Sequence, residues 1–149
     1  MSDVTNIGIH RALLFIMVVT SAADGDMSDR EISAIGESIR LLPVFKDFDT
    51  AKLPQIANEC VDLLEEEETG LDTVLGMARE ALNPWRLRET AYALACEIAA
   101  MDGPLTDEET RILEIIRQEL ELGRLAAAAI ERCVRARHTT PDNAGPQTI

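Results

Sequence analysis

A ten-residue pattern recurs in this chain. Ala22-Ala23-Asp24-Gly25-Asp26-Met27-Ser28-Asp29-Arg30-Glu31 lies over Ala100-Met101-Asp102-Gly103-Pro104-Leu105-Thr106-Asp107-Glu108-Glu109 at a shift of 78 residues. Five positions are identical, and Met27/Leu105 and Ser28/Thr106 are conservative pairs. The surroundings repeat too. Residues 12–23 and 91–101 are apolar nearly all round, the second broken only by Glu97, and helices of that kind are buried at the centre of a fold. After each copy comes an amphipathic segment, in the first half with Ile32, Ile35, Ile39 and Leu42 stepping by three and four. Each half therefore reads as a buried helix, an acidic corner and a covering helix, and the two halves are expected to pack with approximate two-fold symmetry.

Helical spacing continues elsewhere. Leu53, Ile56/Ala57, Cys60/Val61 and Leu64 form one stripe, and Leu71, Val74/Leu75, Ala78 and Leu82 another. No segment alternates as a strand would. Breaks at Asp24-Gly25, Leu42-Pro43, Thr69-Gly70, Asn83-Pro84, Asp102-Gly103-Pro104 and Gly123 divide the chain into about seven helices. Asn83 is expected to cap a helix that has Pro84 in its first position. The expectation is an all-α fold: two pseudo-symmetric helix-corner-helix repeats around two buried central helices. One domain spans residues 1–137, and residues 138–149, with two prolines and no periodicity, form a loosely held tail.

Capping explains much of each corner. Ser28 and Thr106 stand where a helix cap belongs, with Glu31 and Glu109 three residues on, the spacing of a reciprocal capping box. Gly25 and Gly103 suit the left-handed residue that ends a helix, and Met27 and Leu105 can staple each turn to the core. Asp24 and Asp102 are left over. A carboxylate at a helix C-terminus meets the negative end of the dipole. The alternative is a divalent-cation site, in which Asp24, Asp26 and Glu31, or Asp102 and Glu109, offer hard oxygen ligands suited to Ca²⁺, Mg²⁺ or Mn²⁺. An EF-hand is ruled out, because the loop starting at Asp24 has Asp29 where glycine is required and Ile35 where glutamate is required. Were the corners to meet, their carboxylates would repel one another and favour a bound cation.

The chain carries 14 Lys+Arg against 27 Asp+Glu, a net charge of −13, which argues against nucleic acid and anionic membrane surfaces as direct partners. Cys60, Cys96 and Cys133 are widely spaced in apolar helical contexts and read as buried, reduced thiols of a cytoplasmic protein. The run from Leu13 to Val19 mimics a secretory signal, but Asp3 spoils its basic flank and the repeat needs the segment in the fold. It is also far short of the ~20 apolar residues that span a bilayer.

Other groups have simpler roles. Glu65 to Glu68 contains the Glu-x-x-Glu spacing that some all-α nucleotide pyrophosphohydrolases use to hold magnesium, although acidic runs are usually solvated. Glu97 is expected to reach the rim or pair with Arg88 or Arg86. Arg124, Arg132, Arg135 and Arg137 make the last helix basic, pairing with Glu121 and Glu131 or offering a docking face for an acidic partner. Phe45 and Phe48 read as lids over the core. With only His10 and His138 available, nucleophilic triads have little to work with, and no catalytic residue is expected.

The doubled pattern Ala-x-Asp-Gly-x-x-Ser/Thr-x-x-Glu, at 22–31 and 100–109, resembles the TerB family of tellurite-resistance proteins and the related helical domain of DjlA-type co-chaperones, over roughly residues 7–137. The resemblance implies an all-α fold of about seven helices and a metal-binding role for the repeated acidic residues. Residue by residue it touches Asp24, Gly25, Glu31, Asp102, Gly103 and Glu109; Asp26 has Pro104 as its counterpart. It also implies membrane-associated stress-response assemblies with protein partners, and a non-enzymatic binding or adaptor role rather than a reaction.

Overall fold

The computed structural model describes residues 2–25, 27–66, 68–101 and 103–146, with side chains described from residue 8 onward except that of Asp24. Among these residues seven α-helices run in order: α1 (Ser2–Ser21), α2 (Asp29–Ile39), α3 (Leu53–Glu66), α4 (Gly70–Ala81), α5 (Trp85–Ala100), α6 (Asp107–Glu119) and α7 (Arg124–Arg137). Three short 3-10 turns join some of them, and no strand occurs among the described residues.

The central helix is α1. Residues 12–20 are all buried, so every side of this stretch needs a neighbour, and α3, α4, α5 and α6 supply them. The second apolar helix, α5, packs on α1 and is covered by α6 and α7. The two segments expected at the centre are thus there, in contact with each other. Ile32, Ile35 and Ile39 of α2, Leu53, Ala57 and Cys60 of α3, and Val74, Leu75 and Ala78 of α4 face the same core. The core is aliphatic, as a 3% aromatic content requires. Phe45 and Phe48 cover the start of α1 as lids, stacked and edge-on against His10, whose Nε2 hydrogen-bonds the Val44 carbonyl at 2.7 Å.

Several local expectations need correcting. Pro84 is the N-cap of α5 rather than its first residue; its ψ of 137° is extended, and no side chain caps that end. Leu105 is 48% exposed and staples nothing, whereas Met27 packs on the core. Cys133 is exposed, on the outer side of α7, while Cys60 and Cys96 are buried. Burial in the aliphatic core pushes both of those thiols up to about 12.

Arg88 donates instead to backbone. Its Nε reaches the Leu82 carbonyl at 2.7 Å and its Nη1 the Leu120 carbonyl at 3.2 Å, so one guanidinium satisfies orphan carbonyls at the ends of α4 and α6. Glu97 therefore pairs elsewhere. Its carboxylate meets Arg137 Nε at 2.8 Å and His138 Nε2 at 2.6 Å. Tyr92 donates to Glu131 at 2.5 Å, so the contacts advance together along α5 and α7 and the two helices run parallel. Glu121 likewise pairs with Arg79 at 2.7 Å, rather than with Arg124. That residue has φ of 58°, and the amides of Glu121 and Leu122 bond back to Gln118 and Arg117, the double bond of a Schellman ending with a glutamate where glycine is usual.

Candidate functional site

The corners use the repeat's residues in two different ways. In the second, Thr106 caps α6: its Oγ1 accepts from the Glu109 amide at 3.1 Å, and Glu109 Oε1 accepts from the Thr106 amide at 3.0 Å. The capping box is complete, and Glu109 is buried. In the first, Ser28 Oγ accepts from the Glu31 amide at 3.2 Å, but the Glu31 carboxylate turns away and accepts from the Ser21 hydroxyl at 3.1 Å. The expected reciprocal box is thus half made. The physical reason lies in the equivalent position: 78 residues beyond Ser21 stands Ala99, which has no hydroxyl to offer. Gly25 and Gly103 have φ of 139° and 103°, conformations that glycine adopts at no steric cost.

The two corners interlock at one end of the molecule. The 3-10 turn Ala22–Asp24 packs against α6, and the end of α5 reaches the other way. Ile98 and Met101 form one wall of a cleft of about 400 Å³, whose other wall is Ser21, Ser28, Arg30, Glu31, Ala34 and Ile35 from the first corner. The Met101 sulfur lies 3.6 Å from the Ser38 hydroxyl of α2.

Of the residues proposed as ligands from sequence, Glu31 faces this cleft and Glu109 is held in its own box. Asp24 is described by its backbone alone, and Asp26 and Asp102 lie outside the described residues. Among the described residues no three His, Cys, Asp or Glu side chains converge to hold a metal ion. Glu65, Glu66 and Glu68 stand exposed at and beyond the end of α3. No helix among the described residues is long and apolar enough to cross a membrane.

Sequence reasoning missed the cleft, although the signal was within reach. Extending the comparison past the ten repeated residues pairs Ser21 with Ala99 and Ala34 with Ile112, and both changes open or polarise the first corner.

The family model for the tellurite resistance protein TerB matches residues 10–132, which takes in both corners and all of α2 to α6. No curated protein and no solved structure matches the chain.

Proposed function

The chain belongs to the TerB family, and on that premise we propose that it is a non-enzymatic binding or adaptor domain of the cytoplasm, serving a response to metal or oxyanion stress. Its working part is the pair of acidic corners, which hold a divalent cation, Ca²⁺, Mg²⁺ or Mn²⁺, through Asp24, Asp26 and Asp102 with Glu31 and Glu109 beside them. The observation that carries this reading is the interlock, in which the turn Ala22–Asp24 packs on α6 while the end of α5 walls the first corner. The described parts of the two corners, 78 residues apart in sequence, thereby share one end of the molecule, and this supports a joint role for their acidic residues. Hard oxygen donors suit these ions, and a cation there offsets the repulsion among the carboxylates.

Binding tightens the packing of one half on the other. That change is what a partner protein, including one in a membrane-associated assembly, would read. The glutamates retain some capacity: Glu31 uses Oε2 and Glu109 uses Oε1 in the hydrogen bonds above, leaving one oxygen each. The test is thermal melting with each divalent ion. A ligand at a hundred times its Kd stabilises by about 2.7 kcal/mol. Asp24→Ala combined with Asp102→Ala should abolish the rise, and Glu65→Ala with Glu68→Ala should leave it. Absence of a shift with any divalent ion at millimolar concentration overturns the reading.

A further inference from the structure

The cleft at the first corner has a chemistry of its own. Of the lining residues with a counterpart 78 residues on, Ser28/Thr106 and Ile35/Leu113 change conservatively, and three change in chemistry or size: Ser21 for Ala99, Arg30 for Glu108, and Ala34 for Ile112. Ile112 is buried, and at the matching position Ala34 leaves the volume that a larger side chain would occupy. Ser21 draws the Glu31 carboxylate into the cleft instead of letting it close the capping box. Arg30 puts a positive charge on the same wall, with no ion-pair partner among the described residues.

Both signs of charge therefore line one small cleft, beside an apolar surface of Ala34, Ile35, Ile98 and Met101. Among the described lining of the cleft itself, a simple cation has only Glu31 and meets Arg30, and a simple anion has only Arg30 and meets Glu31 and the net charge of −13. A molecule carrying both charges satisfies both groups. At about 400 Å³ the cleft is at the small end of ligand-binding pockets. We propose that this cleft binds a compact zwitterion, a free α-amino acid with an aliphatic side chain. Its ammonium donates to the remaining Glu31 oxygen. Its carboxylate accepts from the Arg30 guanidinium and the Ser28 hydroxyl at the N-terminus of α2, where the helix dipole favours negative charge. Its side chain lies against Ile35, Ile98 and Met101.

The inference stands on the lining of the cleft and shares only the free Glu31 oxygen with the cation reading, so a bound cation and the zwitterion would compete there. The test is an NMR titration of the full chain in a metal chelator, with L-leucine and L-methionine as probes, so that cation binding cannot produce the signal. Saturable shifts are expected at Ala34, Ile35, Ile98 and Met101. 4-Methylpentanoate, lacking the amine, and isopentylamine, lacking the carboxylate, should each bind about tenfold more weakly or worse, as loss of one charge-assisted hydrogen bond requires. Arg30→Glu and Ala34→Ile install the second corner's residues and should weaken binding at least as much. The comparison of amino acid with analogue on the unaltered chain decides the matter even where a variant folds poorly. No saturable shift with either amino acid, equal binding of the analogues, or binding unchanged in well-folded variants overturns the proposal.

Discussion

Ser21 and Glu31 are joined across the first corner by a 3.1 Å hydrogen bond that the second corner has no means to make. That bond separates two uses of one sequence pattern. Glu109 completes a cap and is buried, whereas Glu31 is spent partly outside its own helix.

Substitutions at the two corners should therefore differ in cost. Thr106→Ala removes a cap that participates in a complete box and is expected to lower stability by about 1 kcal/mol, within the usual range for such caps. Glu109→Ala should cost more than Glu31→Ala, because it leaves the Thr106 amide without the Glu109 acceptor and opens a buried space. Chemical denaturation of the four single variants, Ser28→Ala included, checks the order. Equal losses for Glu31→Ala and Glu109→Ala would contradict the asymmetry.

Alkaline pH should unfold the protein earlier than its acidic composition alone implies. Burial holds Cys60 and Cys96 up at about 12, against an ordinary value of 9.0. Burial, then the hydrogen bond to Glu131, raises Tyr92 above its ordinary 10.0 as well. In each case the folded state keeps a proton that the unfolded chain releases. The stabilisation is present in full below the unfolded value and is lost as pH climbs toward the folded one. Each group contributes a slope of about 1.4 kcal/mol per pH unit within its window. Stability measured from pH 8 upward should begin to fall near pH 9, and Cys60→Ala, Cys96→Ala and Tyr92→Phe should each make the fall shallower.

Two glycines of α4 should respond to alanine with opposite signs. A Cβ on Gly70 would overlap the carbonyl oxygens of Leu63 and Leu64, because the start of α4 is folded tightly back on the end of α3. Gly70→Ala is expected to cost about 1–3 kcal/mol, as overpacking against backbone does. Gly76 lies inside the same helix with nothing near its missing Cβ. Gly76→Ala should stabilise by about 0.5–1 kcal/mol through helix propensity. Melting temperatures of the two variants check the pair together.

The helices were legible because their signals are local. The three- and four-residue spacing of Ile32, Ile35 and Ile39 depends only on which face of one helix meets the core, and all three are buried. Gly25 and Gly103 were legible for a similar reason, since a positive φ at a helix end selects glycine. Partners across helices were not legible. The sequence puts Glu97 at the rim or beside Arg88 or Arg86 on its own helix, yet it meets Arg137 and His138 because α5 and α7 run parallel, and Arg88 is engaged by carbonyls of two other helices. Glu121 and Glu131 escaped in the same way, one to Arg79 and the other to Tyr92. Those choices follow from tertiary packing, which no single helical period encodes. The carboxylates at the corners were legible as a repeat, but the half-made box was not, because it turns on a hydroxyl just outside the repeated residues.

The burial of α1 has a bearing on how the chain is made. This helix is made before all four of the helices that shelter it, α3, α4, α5 and α6. Until those helices are made, the apolar surface from Leu13 to Val19 lacks full cover, and exposed surface of that kind invites aggregation. Its cover is complete only once α6 has been made. Aggregation at that stage would reduce the yield of the protein without any change in its finished stability.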